Sequence, residues 1–264
     1  MTAVTPKEAA EWIQVDEEEI QWMREEINTG KADQATWQSL GLSLLGLGRA
    51  LFLHGDPLER VRETFREAGK AFERTFIMAY DKSSPLYLGR RSDPTTVTDT
   101  TALDGLNAAL MAGDFQLARQ LAKWVPQEPT DPSTPAETKL YTRGLQHLLL
   151  GKPDKAKDLV DQVLRKHGNK LPKKGGYARN YFTLCSALAG LLDKDEVKFN
   201  EGLRQQAEFY KAIAHGENQD TAEEHLCDHL VALGNLGAEY EVEVTGEVPF
   251  LPRELLLPVG EPQR

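Results

Sequence analysis

The chain has 264 residues, 40% of them hydrophobic and 27% charged, and a formal net charge of −10 at pH 7. That composition fits a folded chain long enough for one large domain or two closely packed ones, and it excludes a disordered one. The acidity works against nucleic acid and anionic membrane surfaces and favours basic partners, although solubility alone also accounts for it.

The predicted elements are almost all helical. Thr5-Pro6 opens a first helix in which Trp12, Ile13, Ile20, Met23 and Ile27 recur at helical spacings, and Asn28-Thr29-Gly30 ends it. A second helix, about 32–53, carries Leu40, Leu44, Leu47 and Leu51 on one stripe and leads into the turn His54-Gly55-Asp56-Pro57. A third runs to about Tyr80 with Val61, Phe65, Ala68, Phe72 and Phe76 along one face, the pattern of helices packed on helices. Residues 81–96 read as a long loop, and 126–135, with four prolines in ten residues, as a surface linker.

Four segments share one form: ALFLHGDPLERVRETF, ALMAGDFQLARQLAKW, LLLGKPDKAKDLVDQV and LAGLLDKDEVKFNEGL. Each is an apolar helix end, a tight Gly or Asp turn, then a second amphipathic helix; the turn supplies a C-terminal glycine and an N-cap aspartate. This is the local form of tetratricopeptide-like hairpins, but the spacing is irregular and the full consensus is absent. The expected fold is all-α, a degenerate stack of antiparallel helical hairpins. Residues 1–264 read as one helical domain, with an N-terminal helical lobe at 1–80, a hairpin stack at 97–236 and a short extended tail at 237–264.

The last helix is expected over 221–236. After it, AEYEVEVT alternates strictly, with Glu239, Glu241 and Glu243 on one face and Tyr240, Val242 and Val244 on the other, so a strand or extended segment is expected. Pro249 and Pro252 keep VPFLPRELLLP extended, with one short turn at 253–257.

Chemistry concentrates in EEHLCDHL, residues 223–230. On a helical wheel His225 and His229 are neighbours on one flank of the Leu226, Leu230 and Leu233 stripe, and such a pair can bind zinc. Leu226 stands where the catalytic version has glutamate, Glu224 and Asp228 project the other way, and a third ligand would have to come from His215, Glu217 or another segment. The two histidines therefore read as core-flanking residues, with a metal pair as the alternative. No nucleophile elbow surrounds Ser83, Ser84 or Ser186, and Lys173-Lys174-Gly175-Gly176 lacks the spacing of a phosphate loop. Lys166, Lys170, Lys173, Lys174 and Arg179 read as a solvated basic stretch, with contact to a phosphate or an acidic partner as the alternative. No catalytic residue and no cofactor is expected. The candidate partner-binding residues are acidic: Asp16, Glu17, Glu18 and Glu19, a run early in the first helix that the macrodipole partly explains, and the ladder Glu239, Glu241 and Glu243. For the ladder, a charged edge that prevents sheet pairing is the competing explanation.

The hairpin ALMAGDFQLARQLAKW, the late helix EHLCDHLVALGNLGAEYEV and the closing P-x-L-P-x-x-L-L pattern in VPFLPRELL together resemble the immunity-49 family of bacterial polymorphic-toxin systems, over about residues 100–258. The resemblance implies a non-enzymatic protein that binds a cognate toxin and blocks it; it carries over no site residue. A tetratricopeptide-like adaptor that docks partner peptides is the alternative. Cys185 and Cys227, far apart in sequence, read as buried free thiols in a reducing compartment. The N-terminus lacks a secretory pattern and no apolar run approaches the roughly 20 residues of a spanning helix, so a cytoplasmic location is expected.

Overall fold

The computed structural model describes residues 4–88, 95–126, 134–173 and 176–260, and the described residues form ten α-helices and no strand. The all-α class expected from the periodicity is the one observed. Contacts divide the chain into two units. The first, Met1–Ser133 with Asp220–Glu223, holds α1 (Pro6–Asn28), α2 (Gln34–His54), α3 (Leu58–Tyr80), α4 (Asp99–Met111) and α5 (Phe115–Ala122). The second, Thr134–Gln219 with Glu224–Arg264, holds α6 (Ala136–Leu149), α7 (Pro153–Lys166), α8 (Tyr177–Asp193), α9 (Glu196–Ala214) and α10 (Asp228–Glu239). The division falls in the proline-rich stretch, so α4 and α5 group with the first three helices, and α3 packs directly on α4. Most of that stretch, 127–133, and part of the loop at 81–96, 89–94, lie outside the described residues.

The helix starts follow local chemistry. Thr5 and Glu8 cap α1 reciprocally, with Pro6 in the first turn, and Asp33 and Thr36 do the same for α2. All four expected hairpins form, as α2–α3, α4–α5, α6–α7 and α8–α9. Gly55, Gly113 and Gly151 take the left-handed backbone at their turns. The aspartates divide. Asp114 and Asp195 cap α5 and α9 as expected. Asp56 does not cap α3, because Pro57 occupies the N-cap; its carboxylate instead accepts from Arg60 at 2.6 Å and pairs with His54 at 2.7 Å. Asp154 lies inside α7, whose first residue is Pro153.

Each unit buries its own apolar stripes. Phe65, Phe72, Phe76, Leu51 and Leu106 are enclosed in the first, and Tyr141, Leu145, Leu184, Leu188 and Phe199 in the second, at roughly 1.5–3 kcal/mol for each large side chain. In the second unit α8 and α9 approach backbone to backbone. A Cβ at Gly190 would collide with the backbone nitrogen of Phe199, and one at Gly202 with that of Ala187.

The C-terminal end departs from expectation. The helix expected over 221–236 is broken: a 3-10 turn covers Ala222–Glu224, and α10 begins only at Asp228. Between them Leu226 and Cys227 are fully buried. Tertiary partners claim their backbone groups: the Tyr210 hydroxyl donates to the Leu226 carbonyl at 3.2 Å, and the Cys227 N–H donates to the Phe250 carbonyl at 3.0 Å. The helix then overruns its expected end to Glu239, and no strand forms, because Ala238 and Glu239 are still helical and Glu241 turns into the left-handed region at φ 60°. The alternation survives beyond that point, with Val242 and Val244 buried and Glu241 and Glu243 exposed. Buried Asn200 stands in for a neighbouring strand. Its Nδ2 donates to the Glu243 carbonyl and its Oδ1 accepts from the Thr245 N–H, both at 2.8 Å.

Candidate protein-binding surface

The acidic run splits according to which way each residue faces from α1. Asp16 lies well beyond the first turn, out of reach of the macrodipole. It is half-buried against α2 at Gly46, where an added Cβ would sit 2.8 Å from Oδ2. Burial, then repulsion from Glu19, pushes its pKa from 3.8 to about 7, against the pull of Arg49. Glu19 accepts from the Ser43 hydroxyl on α2 at 2.8 Å. Glu17 reaches Arg60 on α3 at 3.3 Å. Glu18 accepts from Gln14, one turn back on α1, at 2.9 Å. One of the four thus bonds α1 to α2, one is packed against α2, one faces α3, and one faces outward.

The helix order explains what Glu17 faces. α1 and α3 both pack on α2, and a groove of about 970 Å³ lies between them, touching Ile20, Leu44 and Leu47. Its walls carry Glu17, Glu25, Glu59, Glu63 and Glu67 against Arg24 and Arg60, a net charge of −3. Two ion pairs span it, Arg60–Glu17 at 3.3 Å and Arg24–Glu67 at 2.8 Å. All four side chains are about half exposed, and such pairs contribute about 0–1 kcal/mol each, so a charged partner can displace them. A smaller hollow of about 360 Å³ continues the groove past Arg24 and Glu67, and there Lys70 and Arg74 replace the acids. The sequence reading missed this groove. Its signal was available as Glu59, Glu63 and Glu67 at four-residue spacing on α3, but only the packing shows that they face α1.

In the second unit, residues 225–227 are not helical, so His225 and His229 do not lie on one continuous helix as expected. His229 turns edge-on to Tyr141, with ring centroids 6.3 Å apart at 86°, and desolvation lowers its pKa. His215 lies 3.3 Å from Glu224. Among the described residues no group of three His, Cys, Asp or Glu side chains is placed to hold a metal. Cys185 and Cys227 are buried free thiols, and burial pushes Cys185 well above its usual pKa. Tyr141, enclosed beside Tyr181 at 5.7 Å, is likewise held protonated.

Of the tail acids, Glu239 is half-buried at the end of α10, and Glu241 and Glu243 are exposed. The structure therefore does not set all three in one ladder. Of the basic stretch, Lys166 pairs with Glu137, and Lys174 lies outside the described residues. For Glu137, burial alone would raise the pKa, but Lys166 holds it below the usual range. Among the described residues no helix is long and apolar enough to cross a membrane. Comparison with protein-family models, with curated proteins and with solved structures returns no match to the chain.

Proposed function

We propose that this chain is an immunity-type protein that binds a cognate basic toxin and blocks it by contact, without catalysis. The observation that supports this most directly is the acidic groove between α1 and α3, open enough for a protein segment and bridged only by displaceable ion pairs. Helical hairpins hold such a groove in place while loops are free to vary, and a chain of net charge −10 gains association rate toward a basic partner through electrostatic steering. The exposed acids Glu241 and Glu243 offer a second contact. The test is co-expression with the toxin encoded beside the gene. The chain should restore growth, and Glu59→Lys with Glu63→Lys should abolish the rescue while leaving the helical circular dichroism intact. Rescue by the charge-reversed variant at wild-type level would remove the groove from the mechanism. The same groove also suits a peptide-docking adaptor; in that case the bound partner keeps its activity.

A further inference from the structure

The face of α1 opposite α2 carries a stripe of five residues, Glu11, Val15, Glu18, Trp22 and Glu25, spaced alternately four and three apart. All five are exposed. Trp22 leaves 60% and Val15 57% of its surface in water. Exposed apolar residues scattered singly need no explanation, but here a tryptophan and a valine seven apart share one helix face, with Glu18 between them. Core packing does not account for them, since α1 presents Ala9, Ile20 and Met23 to the core. The three glutamates alternate with the apolar pair. Each is steadied by a residue one turn earlier on the same helix: Lys7–Glu11 at 3.6 Å, Gln14–Glu18 at 2.9 Å and Gln21–Glu25 at 3.2 Å.

We infer that this stripe is a docking face for a basic protein surface, with Trp22 as the anchor in an apolar socket rimmed by lysine or arginine. Tryptophan ringed by charge is the composition in which a few residues carry most of the binding energy. Charge decides between occupants. A second copy of this chain would set Glu11, Glu18 and Glu25 against the same glutamates in either orientation of α1, and like charges facing each other at close range oppose that pairing. Nucleic acid and anionic lipid are repelled for the same reason. A cationic amphipathic helix meets both demands, apolar pair to apolar face and carboxylate to ammonium.

This inference rests on the proposed binding role, yet the two can fail separately. The probe is a synthetic, fluorescein-labelled amphipathic peptide of about 18 residues, leucine on one face and lysine on the other, with a glutamate-for-lysine version as control. By anisotropy the full chain should bind the cationic peptide and not the acidic one, more weakly as salt rises. Trp22→Ala should weaken binding about tenfold or more, and Glu11→Gln with Glu18→Gln, neither of which lines the groove, should flatten the salt dependence. The groove variant Glu59→Lys with Glu63→Lys should retain Trp22-dependent binding. Trp22 and the glutamates are exposed, so these variants keep the fold, and circular dichroism checks that. Equal affinity of wild type and Trp22→Ala overturns the inference. So does sedimentation that shows a wild-type dimer dissolved by Trp22→Ala, because a second copy is then the occupant. Trp22-dependent peptide binding without toxin rescue supports the docking face and overturns the immunity role. Toxin rescue undiminished in Trp22→Ala does the reverse.

Discussion

Replacing Asp16 with asparagine tests the electrostatics of the α1–α2 contact. In the unfolded chain this carboxyl loses its proton near 3.8; in the native state it keeps it until about pH 7. Between those values the native state holds the extra proton, so the stability this group contributes falls as pH rises, and the full penalty is present above pH 7. A displacement of that size corresponds to roughly 4 kcal/mol for a fully enclosed group. Asp16 is only half-buried, and solvent screening reduces the figure to about 1–2 kcal/mol. Asp16→Asn keeps the shape and removes the charge. It should be stabilising by about 1–2 kcal/mol at pH 8 and by less than about a third of that at pH 4, close to the unfolded-chain value of 3.8. The assay is urea unfolding followed by tryptophan fluorescence at both pH values, which reports the first unit because Trp12, Trp22, Trp37 and Trp124 all lie in it. The reasoning fails if the variant is no more stable than wild type at pH 8, or gains as much at pH 4 as at pH 8. The first result would mean that Arg49 already compensates the buried carboxylate, and the second that the gain does not come from its charge.

Other sites give independent checks. Gly202→Ala forces a methyl group into the Ala187 backbone and should cost about 1–3 kcal/mol, read as a lower midpoint in far-ultraviolet circular dichroism; an unchanged midpoint would mean that α8 and α9 can move apart without cost. Asn200→Ala removes two hydrogen bonds of 2.8 Å to the tail and should cost about 1–3 kcal/mol. Faster hydrogen exchange at the Thr245 amide is the specific readout, and unchanged protection there would place the anchoring elsewhere. Cys185 and Cys227 are buried, so a thiol reagent should label neither in the native protein and both after denaturation; rapid native labelling would contradict the burial.

Local chemistry determined much of this protein. Helix periods, the Thr5-Pro6 start and the glycine turns at 55, 113 and 151 act over a few residues, so the four hairpins and the all-α class were legible from the sequence. So was the alternation of buried Val242 and Val244 with exposed Glu241 and Glu243, which depends only on the side-chain period of a non-helical segment. What distant residues touch was not legible. EEHLCDHL has a good helical pattern, yet it breaks because Tyr210 and Phe250, remote in sequence, take the backbone groups a helix would use. The acidic run looked uniform, and tertiary packing gave its members different tasks: Asp16 and Glu19 against α2, Glu17 across the groove, Glu18 outward. The groove exists because α1 and α3 share α2 as a floor, and Trp22 is exposed because it lies on the side of α1 turned away from α2. Periodicity shows that a helix has an apolar side; only the packed neighbours decide which sides remain open to a partner.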